Sequence, residues 1–143
     1  MSYLFKQKLD LGDLISLNYS PPKVVLVAEP EEYLLNIYCN CLRSYNLQVE
    51  ECSRIEDIFK SIKQYSPHLL LLSLAFPPNF YRLFFILENL RKNHPNLRIL
   101  TIGDKVNTEV IKRLMSVGVS SHIEKQLTRP QDIILIARSI LEY

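Results

Sequence analysis

Three glycines in 143 residues, Gly12, Gly103 and Gly118, are too few and too scattered to build a phosphate-cradling loop, which excludes nucleotide enzymes of the glycine-rich-loop kind. Three cysteines, Cys39, Cys41 and Cys52, supply neither an even disulfide set nor a paired metal-ligand spacing, so reduced thiols in a cytoplasmic setting are expected, filling core positions. His68, His94 and His122 form no cluster, and neither metal nor cofactor is expected. No apolar run approaches the roughly 20 residues that span a bilayer. The stretch from Leu4 to Leu17 is interrupted by Lys6, Lys8, Asp10 and Asp13, unlike a secretory signal. The net charge of +2 balances 17 basic against 15 acidic residues spread along the chain, so it selects no polyanionic partner. Arg91, Lys92, His94 and Arg98, with Lys112 and Arg113 further on, read as a solvated helix end, not as a nucleic-acid site.

What the chain does contain is a four-leucine run, Leu69-Leu70-Leu71-Leu72, closed by Ser73 and followed by Pro77-Pro78. A strand covered on both faces loses the apolar and polar alternation, so this run predicts a central parallel strand. Similar runs at Val24 to Ala28, Leu47 to Cys52, Arg98 to Ile102 and Val119 to Ile123 alternate with helical segments. The order predicts an α/β fold with a doubly wound, five-stranded parallel sheet in a three-layer sandwich, spanning residues 23–143 behind an N-terminal extension, 1–22. Chemistry in such sheets sits at the C-terminal ends of the strands.

From about residue 23 onward the chain resembles the receiver domain of two-component response regulators, a flavodoxin-like fold that serves signal transduction and phosphorelay. The resemblance assigns the family's acidic pair to Ala28 and Glu29, its phosphoacceptor aspartate to Ser73, its hydroxyl residue to Gly103 and its lysine to Lys125. Only Glu29 and Lys125 are retained in kind. Glu29 alone is a poor cage for Mg²⁺, which wants near-octahedral oxygen ligation. A serine hydroxyl is protonated at neutral pH and needs a base before it can act as a nucleophile. Gln126 stands where the family has proline after the lysine, so the cis peptide usual there is not expected, non-proline cis bonds costing about 2.5–4 kcal/mol. Thr101 lies two residues before Gly103 on the same face. Lys125 is left to pair with Glu29 or with Asp104.

The helices carry their own signals. Ser53 with Glu56, and Thr128 with Gln131, have capping-box spacing, and Asn107 can cap a helix between Val106 and Ile111 placed as a hydrophobic staple. A first helix is expected from Glu31 to Ser44 with an apolar stripe of Leu34, Ile37, Tyr38 and Cys41, and a second with Ile55, Ile58, Phe59 and Ile62. The third begins among four aromatic residues; Phe80, Leu83, Phe84, Leu87 and Leu90 share its inward face, which leaves Tyr81 and Phe85 for a partner, for the overlying loop from Pro77 or for the N-terminal extension. The loop before it lacks the glycine the family carries after its proline. The last helix is apolar around most of its circumference, which suggests a homodimer surface through Ile134, Leu135, Arg138 and Leu141, or cover by the N-terminal extension.

Two readings of function stand at this point. The first is a non-phosphorylatable pseudo-receiver, not an enzyme, that binds a protein partner as a signalling module. The second is an atypical response regulator that switches through unconventional phosphorylation or ligand binding at the altered pocket.

Overall fold

The computed structural model describes residues 21–76 and 80–142. The expectations placed on the N-terminal extension, on Pro77-Pro78 and on the side chain of Phe80 lie outside the described residues. Five strands, β1 (Lys23–Ala28), β2 (Leu47–Cys52), β3 (Leu69–Ser73), β4 (Arg98–Gly103) and β5 (Val119–Glu124), form one parallel sheet in the order β2-β1-β3-β4-β5. The helices between them are α1 (Glu32–Arg43), α2 (Ile58–Tyr65, entered through a 3₁₀ turn at Ile55–Asp57), α3 (Phe80–Asn93), α4 (Thr108–Ser116) and α5 (Pro130–Leu141). This is the expected doubly wound, flavodoxin-like α/β sandwich, with strand ends displaced by one residue from those read in the sequence.

The strands divide their side chains between two cores. Leu26, Ala28, Leu70, Leu72 and Ile99 face α2, α3 and α4, where Ile58, Ile62, Leu83, Leu87, Leu90 and Leu114 meet them. Val25, Val27, Leu69, Leu71, Leu100 and Ile102 face α1 and α5, against Leu35, Tyr38, Leu42, Ile133 and Ala137. Each fully buried leucine contributes about 1.5–3 kcal/mol of transfer free energy, which is why β3 is leucine on both faces. The turn into β5 passes through Gly118 at φ 95°, a conformation that glycine adopts without a Cβ penalty.

Several local expectations change. The buried face of α1 is Leu35, Tyr38, Cys39 and Leu42, with Leu34, Ile37 and Cys41 at its margins, because the helix must cover the sheet and meet α5 together. Its cap is Glu31, whose carboxylate accepts the N–H groups of Tyr33 and Leu34 at 3.2 and 2.8 Å. Neither capping box forms. Arg54 turns to Glu56 at 2.9 Å, and Arg129 to Asp132 at 3.0 Å with Pro130 opening α5, while Ser53 and Thr128 are not the N-cap residues. Asn107 does cap α4, accepting from the Val110 N–H at 2.9 Å.

The surface suggested on α5 does not exist as such. Ile134 and Leu141 are buried in the core facing α1, and Arg138 lies over the Tyr45 ring at 4.6 Å. Only Leu135, 57% exposed, faces solvent, so α5 is apolar chiefly because α1 and the sheet cover it. Among the described residues no helix is long and apolar enough to cross a membrane.

Candidate functional site at the C-terminal edge of the sheet

Parallel pairing brings the ends of all five strands to one edge, and the strand order reverses direction between β1 and β3, where Ala28 pairs with Leu72. Such a reversal opens a crevice at the strand ends. Ala28, Glu29, Ser73, Gly103, Asp104 and Lys125 all stand at this edge.

Glu29 is 2% exposed and its carboxylate turns back on its own loop, accepting the Glu31 N–H at 2.9 Å. Ser73 is equally buried, and its hydroxyl oxygen accepts the Ala75 N–H at 3.1 Å, closing a local serine turn. Leu74 folds inward beside Gly103: a Cβ added at Gly103 would lie 3.2 Å from the Leu74 Cβ. Glycine at this position therefore accommodates the leucine, and a hydroxyl-bearing residue would press on it.

Asp104 is the centre of the polar contacts. Lys125 Nζ reaches its Oδ1 at 3.9 Å, and Gln126 Nε2 donates to the same oxygen at 2.6 Å. Lys125 thus pairs with Asp104, one of its two candidate partners. The Asp104 carbonyl faces His122 Nε2 at 3.2 Å, and His122 Nδ1 lies 2.8 Å from the hydroxyl of Thr101. A carbonyl only accepts, so Nε2 carries the proton, Nδ1 accepts, and Thr101 donates. Thr101 is fully buried inside the sheet. Beside this chain of contacts lies a cleft of about 410 Å³ bordered by Leu74, Ala75, Asp104, Lys105, Asn107 and Lys125.

The contacts differ in weight. An exposed ion pair such as Lys125–Asp104 contributes about 0–1 kcal/mol, whereas a buried hydroxyl without its partner costs about 1–3 kcal/mol. His122→Phe is accordingly expected to lower the unfolding free energy by about 2 kcal/mol, and adding Thr101→Val to recover part of it. Urea titrations of the three proteins measure this; no recovery in the double variant would mean that the hydroxyl is not what His122 satisfies.

The charges at the end of β1 reach into the core. Burial, reinforced by the carboxylates of Glu29 and Glu31, pushes the Tyr38 hydroxyl up to about 12. A Mg²⁺ ion, which the receiver resemblance implies, finds poor ligation here: Ala28 offers a methyl group, Ser73 a neutral hydroxyl, and one Glu29 oxygen already holds a backbone N–H. Among the described residues no group of three or more His, Cys, Asp or Glu side chains could hold a metal. The donor set does not fit the ion.

Residues 25–137 match the model of the response regulator receiver domain. The chain belongs to the receiver domain family. A receiver domain protein described as CheY-like, from Methanospirillum hungatei, superposes with a TM-score of 0.76 at 17% identity, over 85% of this chain and 94% of that one. A protein from Chloroflexus aurantiacus described by similarity as a response regulator gives 0.73 at 16% identity, over 85% and 99%. The receiver domain of NtrX from Brucella abortus gives 0.71 at 21% identity, over 82% and 98%. No curated protein sequence matches the chain. At such identities the superpositions establish the fold, and membership places the chain in two-component signalling.

Two contributors were not singled out in the sequence as site residues. His122 was read as an isolated histidine and Gln126 only as a replaced proline. The direct pairing of Thr101 with His122 across β4 and β5 brings the first into the site, a juxtaposition that a single strand's pattern does not contain.

Proposed function

We propose that this chain is a receiver domain without aspartyl phosphorylation, serving as a protein–protein interaction module in signal transduction and performing no catalysis of its own. The observation that carries the reading is Ser73. It ends β3 where the family resemblance assigns the phosphoacceptor, it is 2% exposed, and its oxygen already accepts the Ala75 N–H. His122, the nearby base on β5, is engaged by Thr101 and by the Asp104 carbonyl, and Lys125 by Asp104. The altered pocket fills its own polar valences, which favours one fixed arrangement of the β4 and β5 loops.

The partner surface lies on α3. Tyr81 and Phe85, one helical turn apart, are 74% and 65% exposed, and the Arg113 guanidinium lies 4.1 Å from the Phe84 ring centroid and 5.9 Å from that of Tyr81. Exposed aromatics beside an arginine are typical interface anchors. They suit a protein partner that presents an apolar patch with a carboxylate for Arg113.

Light scattering coupled to size exclusion, with and without Mg²⁺ and beryllofluoride, tests the proposal. Mass and elution unchanged by the additions are expected. A shift with beryllofluoride, which adds to a phosphoacceptor carboxylate, would show a pocket that still switches and would favour the atypical-regulator reading.

A further inference from the structure

The opposite edge of the sheet, where the strands begin, carries a second and larger cleft of about 640 Å³. It is assembled from separate parts of the chain: Lys23 opens β1, Lys63 lies in the last turn of α2, His68 leads into β3, and His94 and Arg98 flank the entry to β4. Ile62, Pro67, Pro95 and Leu97 give the same cleft an apolar lining, and among the described residues Glu142 is its one carboxylate. Among the described residues, Lys23, Lys63 and Arg98 have no carboxylate partner within ion-pair distance.

The cations are held in different ways. Arg98 donates to the Ile140 carbonyl, which fixes its guanidinium against the end of α5 and leaves other donors of its five open. His68 accepts the Val24 N–H on Nδ1 at 2.9 Å, so its proton sits on Nε2 as a further donor. Lysine acts on phosphate as a mobile point charge and arginine as a planar fork. A cleft of this volume is the size of small-ligand sites, which run from roughly 300 to 1,000 Å³.

We propose that this cleft binds a small soluble anion carrying two or more phosphates on a partly apolar body, of nucleoside diphosphate size. Lys23, Lys63 and Arg98 receive the phosphates, and the proline and leucine lining receives the body. The site is separate from the pocket at the C-terminal edge and does not depend on its chemistry.

The same structure argues against a nucleic-acid track. A backbone-binding surface needs a continuous row of cations, whereas Lys23, Lys63 and Arg98 gather around one cleft that also carries Pro67, Pro95 and Leu97. That geometry suits a compact anion with an apolar body better than an extended phosphate backbone.

Isothermal titration of the full chain with ADP, and separately with inorganic tripolyphosphate, tests the site. Saturable one-to-one binding of either probe is expected, weakening at least about tenfold in Lys23→Ala/Lys63→Ala and as salt is raised. Lys112→Ala, which removes a cation outside the cleft, serves as the control and should bind as the parent does, with melting temperatures confirming that all variants fold. Absence of saturable binding up to about 1 mM, or binding unaffected by the double substitution, would overturn the proposal. So would a single-stranded oligonucleotide of about 20 nucleotides that binds more tightly than ADP and loses equal affinity in the Lys112→Ala control.

Discussion

Replacing Ser73 by aspartate is expected to destabilise the fold by about 3 kcal/mol at neutral pH and to leave the protein unreactive toward acetyl phosphate with Mg²⁺. The new carboxylate would stand at the end of β3, where the serine is nearly inaccessible and, among the described residues, its oxygen accepts only the Ala75 N–H, while the Lys125 ammonium lies out at the exposed Asp104. Neighbouring positions supply no help: Ala28 cannot ligate a metal, and Gly103 has ceded its space to Leu74. A buried unpaired carboxylate raises its own pKa. The unfolded chain releases that proton near pH 3.9 and the folded chain only higher. Between the two the unfolded state binds fewer protons, so the variant loses stability relative to the parent as pH rises and regains it in acid. Ser73→Asn, with nearly the same volume and no charge, separates the electrostatic part from crowding. Urea titrations at about pH 5 and pH 8, with mass spectrometry after acetyl phosphate treatment, give the result. A variant that is as stable as Ser73→Asn at both values and takes up a phosphoryl group would mean that the pocket lacks nothing but its aspartate.

The positions of this pocket could be read from the sequence because they are set by strand ends in a parallel sheet. Leu69 to Ser73 announced a strand covered on both faces, and a strand's C-terminal residue must lie at the edge where its neighbours also end. The contacts among those residues could not be read, since they depend on distances of a few ångströms between strands remote in sequence. Lys125 had two candidate partners of equal chemistry in Glu29 and Asp104; only the loop that turns Glu29 toward the Glu31 N–H removes one of them. The partnership of Thr101 and His122 likewise needs the β4–β5 register, which contains an irregularity between Ile99 and Leu100 that no counting from the strand starts would allow for.

Helix faces were read less faithfully than strands. The stripe of Leu34, Ile37, Tyr38 and Cys41 has proper helical spacing, but so does Leu35, Tyr38, Cys39 and Leu42, and an apolar arc this wide does not say where its centre lies. Packing against both the sheet and α5 rotates it to the second set. The same contact explains α5, where apolar residues on two sides suggested a missing neighbour and α1 supplies it. The unformed capping boxes have a simpler cause. Arg54 draws off the acidic group of Glu56, and Pro130 begins α5 directly after Arg129, so Thr128 falls outside the N-cap position. The exposed pair Tyr81 and Phe85 was legible from its i, i+4 spacing because α3 has more aromatic residues near its start than one inward face can hold.

Raising the pH from about 8 to about 11 is expected to cost the fold several kcal/mol through two adjacent residues of α1, the larger part from Cys39. Burial, aided by the Glu51 carboxylate, pushes the Cys39 thiol from 9.0 up to about 12, and burial with Glu29 and Glu31 pushes Tyr38 from 10.0 up to about 12. In the unfolded chain both protons leave at the lower values. Across the window from about 9 to 12 the unfolded state therefore binds fewer protons, and stability falls as pH rises. Below that window both groups are protonated in either state and contribute no pH dependence. The informative quantity is a difference between proteins. The guanidinium midpoint of Cys39→Ala should decline less steeply with pH than that of the parent, and Tyr38→Phe should remove a smaller share. If the Cys39→Ala curve ran parallel to the parent's, the thiol would not be the group whose proton the fold retains. Tyr38→Phe carries a second message: Glu29 and Glu31 act on this hydroxyl from the end of β1, so neutralising Glu29 as Glu29→Gln should shrink the tyrosine's share and leave the Cys39 share in place.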